Sequence, residues 1–363
     1  MMYSEKLADT LMSRYPDPDG YPYRSWCYAQ GFMLWGFIHL YEYTGERRYL
    51  DYVIAYGQKH VAPNESIPAF KGDSLDDIMA GSVLAWLYHQ TKDPKYRTAC
   101  KTIRAAFNDY PRTPADALWH ARSLPQEFWV DGVFMGGMFL LHYAAYIQGN
   151  NDCLDEASHQ IRLIYEACKK DGTGLIYHAH SYDKSAPWAD PVSGCSPEVW
   201  SEGLGWYALI LSEAAMHLDA AHPTREGILR QYHALLESLK RFQDAQTGLW
   251  YQVVDKGHQA DNWQDTSGSA MFGYAILRAV RLGIVSKEEW MPCVDRAYEG
   301  LKQKYTFTST GLMDIHDACK GLCVQTGYEK YVFYPRVVNA NEAVAAVLWF
   351  VTEYEKGDAK PCF

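Results

Sequence analysis

The stretch Trp129-Val130-Asp131-Gly132-Val133-Phe134-Met135-Gly136-Gly137 decides how the chain is read. From Val133 to Ile147 the sequence is VFMGGMFLLHYAAYI, apolar almost all round, and a helix with no polar face is normally buried on every side. Asp131 therefore stands where a buried helix begins. A carboxylate at that place can cap the free N–H groups of the first turn and do nothing else. A functional reading needs other helices of the same kind that also begin with polar and aromatic residues.

Such helices recur. Nearly all-apolar segments occupy about 27–43, 77–91, 132–148, 203–218, 268–282 and 341–355, and amphipathic ones with charged outer faces occupy about 3–15, 47–61, 95–109, 152–169, 224–243 and 287–304. Turn signals end several apolar segments: Tyr-Thr-Gly at 43–45, Thr-Lys-Asp-Pro at 91–94 and Gln-Gly-Asn-Asn at 148–151. Twelve helices in six hairpins, one member of each buried all round, predict an all-α (α/α)6 toroid forming a single domain over 1–363. A linear helical solenoid would have shorter repeats, roughly 34–47 residues, than the 50–70 found here.

The long connections, at 62–75, 110–130, 170–202, 244–267 and 305–340, all precede an apolar helix and carry the Gly, Pro, Trp and Asp. Inner helices of a toroid run in one direction, so these connections gather at one end and build a mouth. Within them Gly-Leu-Ile-Tyr-His (174–178) and Gly-Leu-Trp-Tyr-Gln (248–252) look alike, and each is read as a short strand across the rim.

Composition narrows the function. With 28 Tyr, 12 Trp and 13 Phe the chain is 15% aromatic, which suits a concave site lined with rings, as in stacking on sugars. A net charge of −10 without a basic run argues against nucleic acid. The start, MMYSEKLADTLMSRY, reads as an amphipathic helix and no run of about 18 apolar residues occurs, so a cytoplasmic protein without membrane contact, a monomer or weak homodimer, is expected. Nine scattered cysteines suit reduced, buried thiols. His316, Cys319 and Cys323 alone have metal-like spacing, but a structural zinc wants four ligands and no second pair lies nearby, so no metal is expected.

The rim collects Asp76, Asp77, Trp119, His120, Trp129, Asp131, His178, His180, Trp188, Asp190, Trp200, Glu202, Trp206, Asp265, Thr266 and Ser267. Taken singly each has a bland explanation, Asp77 and Asp265 as N-caps and the tryptophans as loop filler. Together, acids facing one another across aromatic rings form the constellation of glycoside cleavage.

The segments LDDIMAG (75–81), LWH (118–120), FWVDGVFM (128–135), LIYHAHSYDKSAPWADPVSGCSPEVW (175–200), GLGWY (203–207) and DTSGSAMFGYAI (265–276) resemble the unsaturated glycuronyl hydrolases. The nearest likeness is to glycoside hydrolase family 105, the unsaturated rhamnogalacturonyl hydrolases, with family 88 as its relative, and it runs in order from about residue 20 to 355. The resemblance implies an (α/α)6 barrel that needs no metal or organic cofactor. Its substrate would be an oligosaccharide with a 4,5-unsaturated uronic acid at the non-reducing end, left by a polysaccharide lyase.

Asp131 matches the general acid and base of the family and Asp76 its second essential aspartate. Asp131 would protonate C4 of the enol ether, water would add at C5, and the hemiketal would collapse to release the next sugar. A dry aromatic pocket would raise the carboxyl pKa of Asp131 and keep its proton in place. His120, Trp129, Met135, His178, Trp200, Glu202 and Trp206 would bind the sugar, with His180 the alternative to His178.

Three positions depart from the family pattern: Glu202 replaces an Arg, Ala121 a Lys and Asp265 a Glu. Loss of two cations is unexpected for a uronate pocket, and Arg24, Arg122, Lys184 and Arg336 are the candidates to supply the charge. A hydrolase of saturated glycosides using Asp76 and Asp131, suggested by Glu202, and a non-catalytic sugar-binding protein, suggested by the lost Arg, are the competing readings.

Overall fold

The structure, a computed structural model, describes residues 2–22, 26–147 and 151–357; Arg24, Cys362 and most of the turn at 148–151 lie outside the described residues. All twelve expected helices are present. The outer set is α1 (Tyr3–Arg14), α3 (Arg47–His60), α5 (Pro94–Ala105), α7 (Asn151–Cys168), α9 (Arg225–Phe242) and α11 (Lys287–Lys302). The inner set is α2 (Tyr28–Thr44), α4 (Ala80–Thr91), α6 (Val130–Tyr146), α8 (Ser201–His217), α10 (Thr266–Arg281) and α13 (Asn341–Glu355). One short helix, α12 (Tyr328–Val332), interrupts the last connection and has no periodic signal in the sequence.

Patterning sets which helix goes where. Helix α9 buries Ile228, Tyr232, Leu235, Leu236 and Leu239, one stripe at helical spacing, and leaves its charged face to solvent. Helix α8 has no such stripe: every residue from Ser201 to Ala215 is buried. The turn signals act as read. Gly45 ends α2 in the left-handed conformation with φ 70°, and Asp93 accepts a hydrogen bond from the Lys95 N–H while Pro94 opens α5.

The inner helices touch in the order α2, α4, α6, α8, α10, α13 and back to α2. That last contact closes the ring and excludes a linear solenoid. The connections close as well. Leu75 N–H donates to His120 O (3.0 Å), Val130 to His178 O (3.1 Å), Ser201 to Gln252 O (2.9 Å) and Thr266 to Asp317 O (3.0 Å). Tyr21 Oη donates to Asn341 O and Trp26 Nε1 to Asp77 O, each at 2.8 Å. Each connection is thus fastened to the next around the mouth.

The strands are short. β1 (Glu127–Trp129) pairs antiparallel with β2 (Ala179–Ser181), setting Trp129 opposite Ala179. β3 (Tyr305–Phe307) pairs with β4 (Met313–Ile315), and β5 (Ala318–Cys319) with β6 (Arg336–Val337). The two look-alike stretches are not strands; only single bridges, Lys169 to Ile176 and Tyr251 to Gln264, involve them. Their likeness has another cause. A Cβ on Gly174 would stand 1.9 Å from the carbonyl oxygen of Ala234 in α9, and one on Gly248 would stand 2.2 Å from that of Arg296 in α11. At each place the chain leaves one outer helix and passes against the backbone of the next, which only glycine allows.

Gly174→Ala is therefore expected to destabilise the fold by about 1–3 kcal/mol. The check is a lower urea midpoint at unchanged slope; an unaltered midpoint contradicts the close-packing explanation.

Candidate active site

Trp129 is the residue before α6 and Asp131 is the second residue of that helix, so Asp131 is not the cap; no side chain caps this end. The Asp131 carboxylate meets a histidine instead. His178 Nε2 lies 3.0 Å from Asp131 Oδ2, and His178 Nδ1 lies 3.0 Å from Tyr331 Oη. Tyr331 Oη also accepts from the Gln325 N–H at 3.2 Å.

Aromatic rings enclose the pair. Trp129 stacks on His120 with centroids 4.3 Å apart and planes 7° from parallel, and turns its edge to His178 at 5.9 Å. Trp200 lies 4.5 Å from the same histidine. Glu127 holds the Trp129 indole by accepting from its Nε1 at 2.8 Å. Asp76 sits on a single helical turn, Leu75–Asp77, where Ser74 Oγ accepts from its N–H. His120 joins the two aspartates electrostatically, with Nε2 3.8 Å from Asp76 Oδ1 and close enough to Asp131 to stabilise its charge. The Asp131 side chain is 14% exposed and that of Asp76 23%.

The protonation pattern reverses the expectation for Asp131. Burial alone would raise its carboxyl, but the charge and hydrogen bond of His178, with His120 behind, outweigh burial and hold it below the ordinary carboxylate range. The neutral acid in this mouth is Glu202. Burial, compounded by the carboxyls of Glu342 and Asp265, pushes Glu202 well above the usual range. Ser267 Oγ lies 2.8 Å from Glu202 Oε2 and 2.6 Å from Asp265 Oδ2, and Tyr28 Oη donates to Glu342 Oε1 at 2.6 Å. Burial also raises Asp265 and Glu342.

The remaining rim residues divide. His178 faces Asp131, whereas His180 Nε2 bonds to Ser193 O. Trp206, 1% exposed, is wedged among Tyr28, Phe32 and Phe134 and offers no face to a sugar; Met135 is likewise in the core. Both back the site from beneath. Asp265 caps α10 by accepting from Gly268 N–H, the bland role read for it, while Asp190 closes a tight turn at Val192 and Ser193. The candidate cations are engaged elsewhere: Arg122 with Asp109 O, Lys184 with Val192 O and Arg336 beside Asp317 and over Trp263.

Tyr331, Tyr28 and Glu342 escaped the sequence reading. Tyr331 lies in a long connection with no periodicity, and Glu342 stands in the first turn of α13, where an acid is favourable without any further role.

A closed ring of six hairpins with carboxyl groups in an aromatic mouth is the architecture of the six-hairpin glycoside hydrolases. The chain belongs to Glycosyl Hydrolase Family 88, whose profile matches residues 3–357. A family 105 glycoside hydrolase from C. acetobutylicum ATCC 824 superimposes with a TM-score of 0.91 at 28% identity, covering 98% of this chain and 99% of that one. The unsaturated glucuronyl hydrolase of Bacillus sp. GL1 shares the fold, with a TM-score of 0.70 at 14% identity over 99% and 97% of the two chains. The 24.9 kDa protein in picA locus of Rhizobium radiobacter is 36% identical over 155 residues, 43% of this chain, which spans 65% of that relative's length. The likeness to families 88 and 105 read from the motifs is borne out.

Because the folded Glu202 carboxyl lies above its unfolded value, about 4.3, its contribution to stability is complete below that value and lost as pH rises through the folded one. Glu202→Gln, which keeps the neutral shape, is expected to match the parent in melting temperature near about pH 4 and to exceed it by a few degrees near about pH 8. A variant that loses ground as pH rises contradicts the neutral assignment.

Proposed function

We propose that this protein is a single-domain hydrolase that removes a 4,5-unsaturated uronic acid from the non-reducing end of lyase-generated oligosaccharides, rhamnogalacturonan-type or similar, with Asp131 as general acid and base and Asp76 as the second acid. One observation carries the reading: Asp131 is hydrogen-bonded to His178 inside an aromatic mouth, within the WVDG block that carries the family resemblance. Without substrate Asp131 is ionised. Entry of a uronate carboxylate adds negative charge beside it and excludes water, both of which favour the protonated acid.

Asp131 then gives that proton to C4, and positive charge develops at C5 beside the ring oxygen. Water adds at C5 as Asp131 takes up its proton, and the hemiketal opens to free the aglycone. His120 and Trp129 form the stacked wall, and Glu202, as a neutral acid, donates rather than repels.

Eight cysteines among the described residues are free thiols, all buried but Cys323, which supports a reducing, cytoplasmic setting. Among the described residues no helix is long and apolar enough to cross a membrane. A monomer or weak homodimer is part of the same proposal.

A second reading has its own support. A protonated Glu202 and an ionised Asp131 in one mouth is the pairing used on saturated glycosides. Lyase digests separate the two: the main reading predicts loss of the enol-ether absorbance, and a fall of about 10²–10⁴ in kcat/KM for Asp131→Asn with an unchanged melting temperature. Turnover of saturated aryl glycosides with unsaturated ones untouched selects the second reading.

A further inference from the structure

At the end of the ring away from the mouth lies a second cluster that the chemistry above does not use. His142 on α6 is eleven residues beyond Asp131, about 16 Å along the helix axis. It faces Glu213 and His217, which stand four apart on one face of α8. We propose that His142, Glu213 and His217 bind a zinc ion that ties α6 to α8 at this end of the barrel.

Geometry favours a metal over plain hydrogen bonding. Glu213 Oε2 is 3.5 Å from His142 Nε2 and 3.7 Å from His217 Nε2, longer than good hydrogen bonds. Ligands held about 2.0–2.2 Å from a tetrahedral zinc stand roughly 3.3–3.6 Å apart. One ligand atom from each residue lies within 4.8 Å of the other two, and among the described residues this is the one group of three with that convergence. Among the described residues His217 Nε2 is buried without a hydrogen-bond partner. His142 and Glu213, though not His217, also line a hollow of about 30 Å³, room for one water, which His39, Arg278 and Lys356 share.

The surroundings prepare the three groups. Trp35 stacks on the His142 ring at 4.2 Å and fixes its plane. Nearby cations are drawn elsewhere: Arg278, Arg281 and Lys356 converge on Glu353, at 3.3, 2.6 and 2.6 Å, although Arg278 also feels the charge of Glu213. Two histidines and a carboxylate form a borderline donor set, matched to zinc and not to magnesium or calcium.

The test uses untagged full-length protein stripped with a chelator and titrated with zinc chloride, followed by calorimetry and by melting temperature. One zinc per chain, a rise of a few degrees in melting temperature, and loss of both in His142→Ala and in His217→Ala are expected, with Asp131→Asn binding as the parent does. His217 ends its helix, so His217→Ala decides the matter if His142→Ala does not fold. Cobalt(II) in place of zinc is expected to give the visible absorption of a tetrahedral site in the parent and not in His217→Ala. No stoichiometric binding by the parent, or binding undiminished in His217→Ala, overturns the proposal.

Discussion

Six helices without a polar face can be buried together only by closing on one another, and that constraint governs the molecule. Closure puts every inner helix start at one end. It also forces the connections, which must satisfy their own backbone groups, into a ring of hydrogen bonds that runs from Leu75 and His120 through Val130 and His178 round to Trp26 and Asp77. The mouth is therefore a fixed frame in which side chains from distant parts of the sequence hold set distances. Asp131 and His178 are the clearest case, because the Val130 N–H bond to the His178 carbonyl locks their two backbones together.

That frame makes opposite protonation states possible in one cavity. Asp131, 14% exposed, and the buried Glu202 both stand at helix starts, yet one is held ionised by histidines and the other held neutral by burial among carboxyls.

The helices and the closed ring were readable because burial leaves a period in the sequence: stripes for α9, none for α8. Turn chemistry at Gly45 and at Asp93-Pro94 was equally explicit. The candidate site was readable where a motif carried it, as for Asp131, Asp76 and His120. It was not readable at Tyr331, placed on the short helix α12 by tertiary contacts alone, nor at Glu342, whose significance lies in the neighbouring Glu202 and Asp265. The pKa of Asp131 was misread for a related reason: the aromatic sequence around it announced burial, while the histidine that overrides burial sits 47 residues further on. Trp206 and Met135 carried motif signals but lie in the core, since a residue one or two turns down an inner helix is already below the mouth.

The central claim is that the Asp131–His178 pair delivers a proton to a carbon atom. Turnover of an unsaturated oligosaccharide in D2O, with the first-formed product examined by NMR, tests it most directly. One deuteron at C4, in a single configuration, is the predicted result. Absence of deuterium at C4, or an equal mixture of both configurations there, would contradict protonation at that carbon by this enzyme.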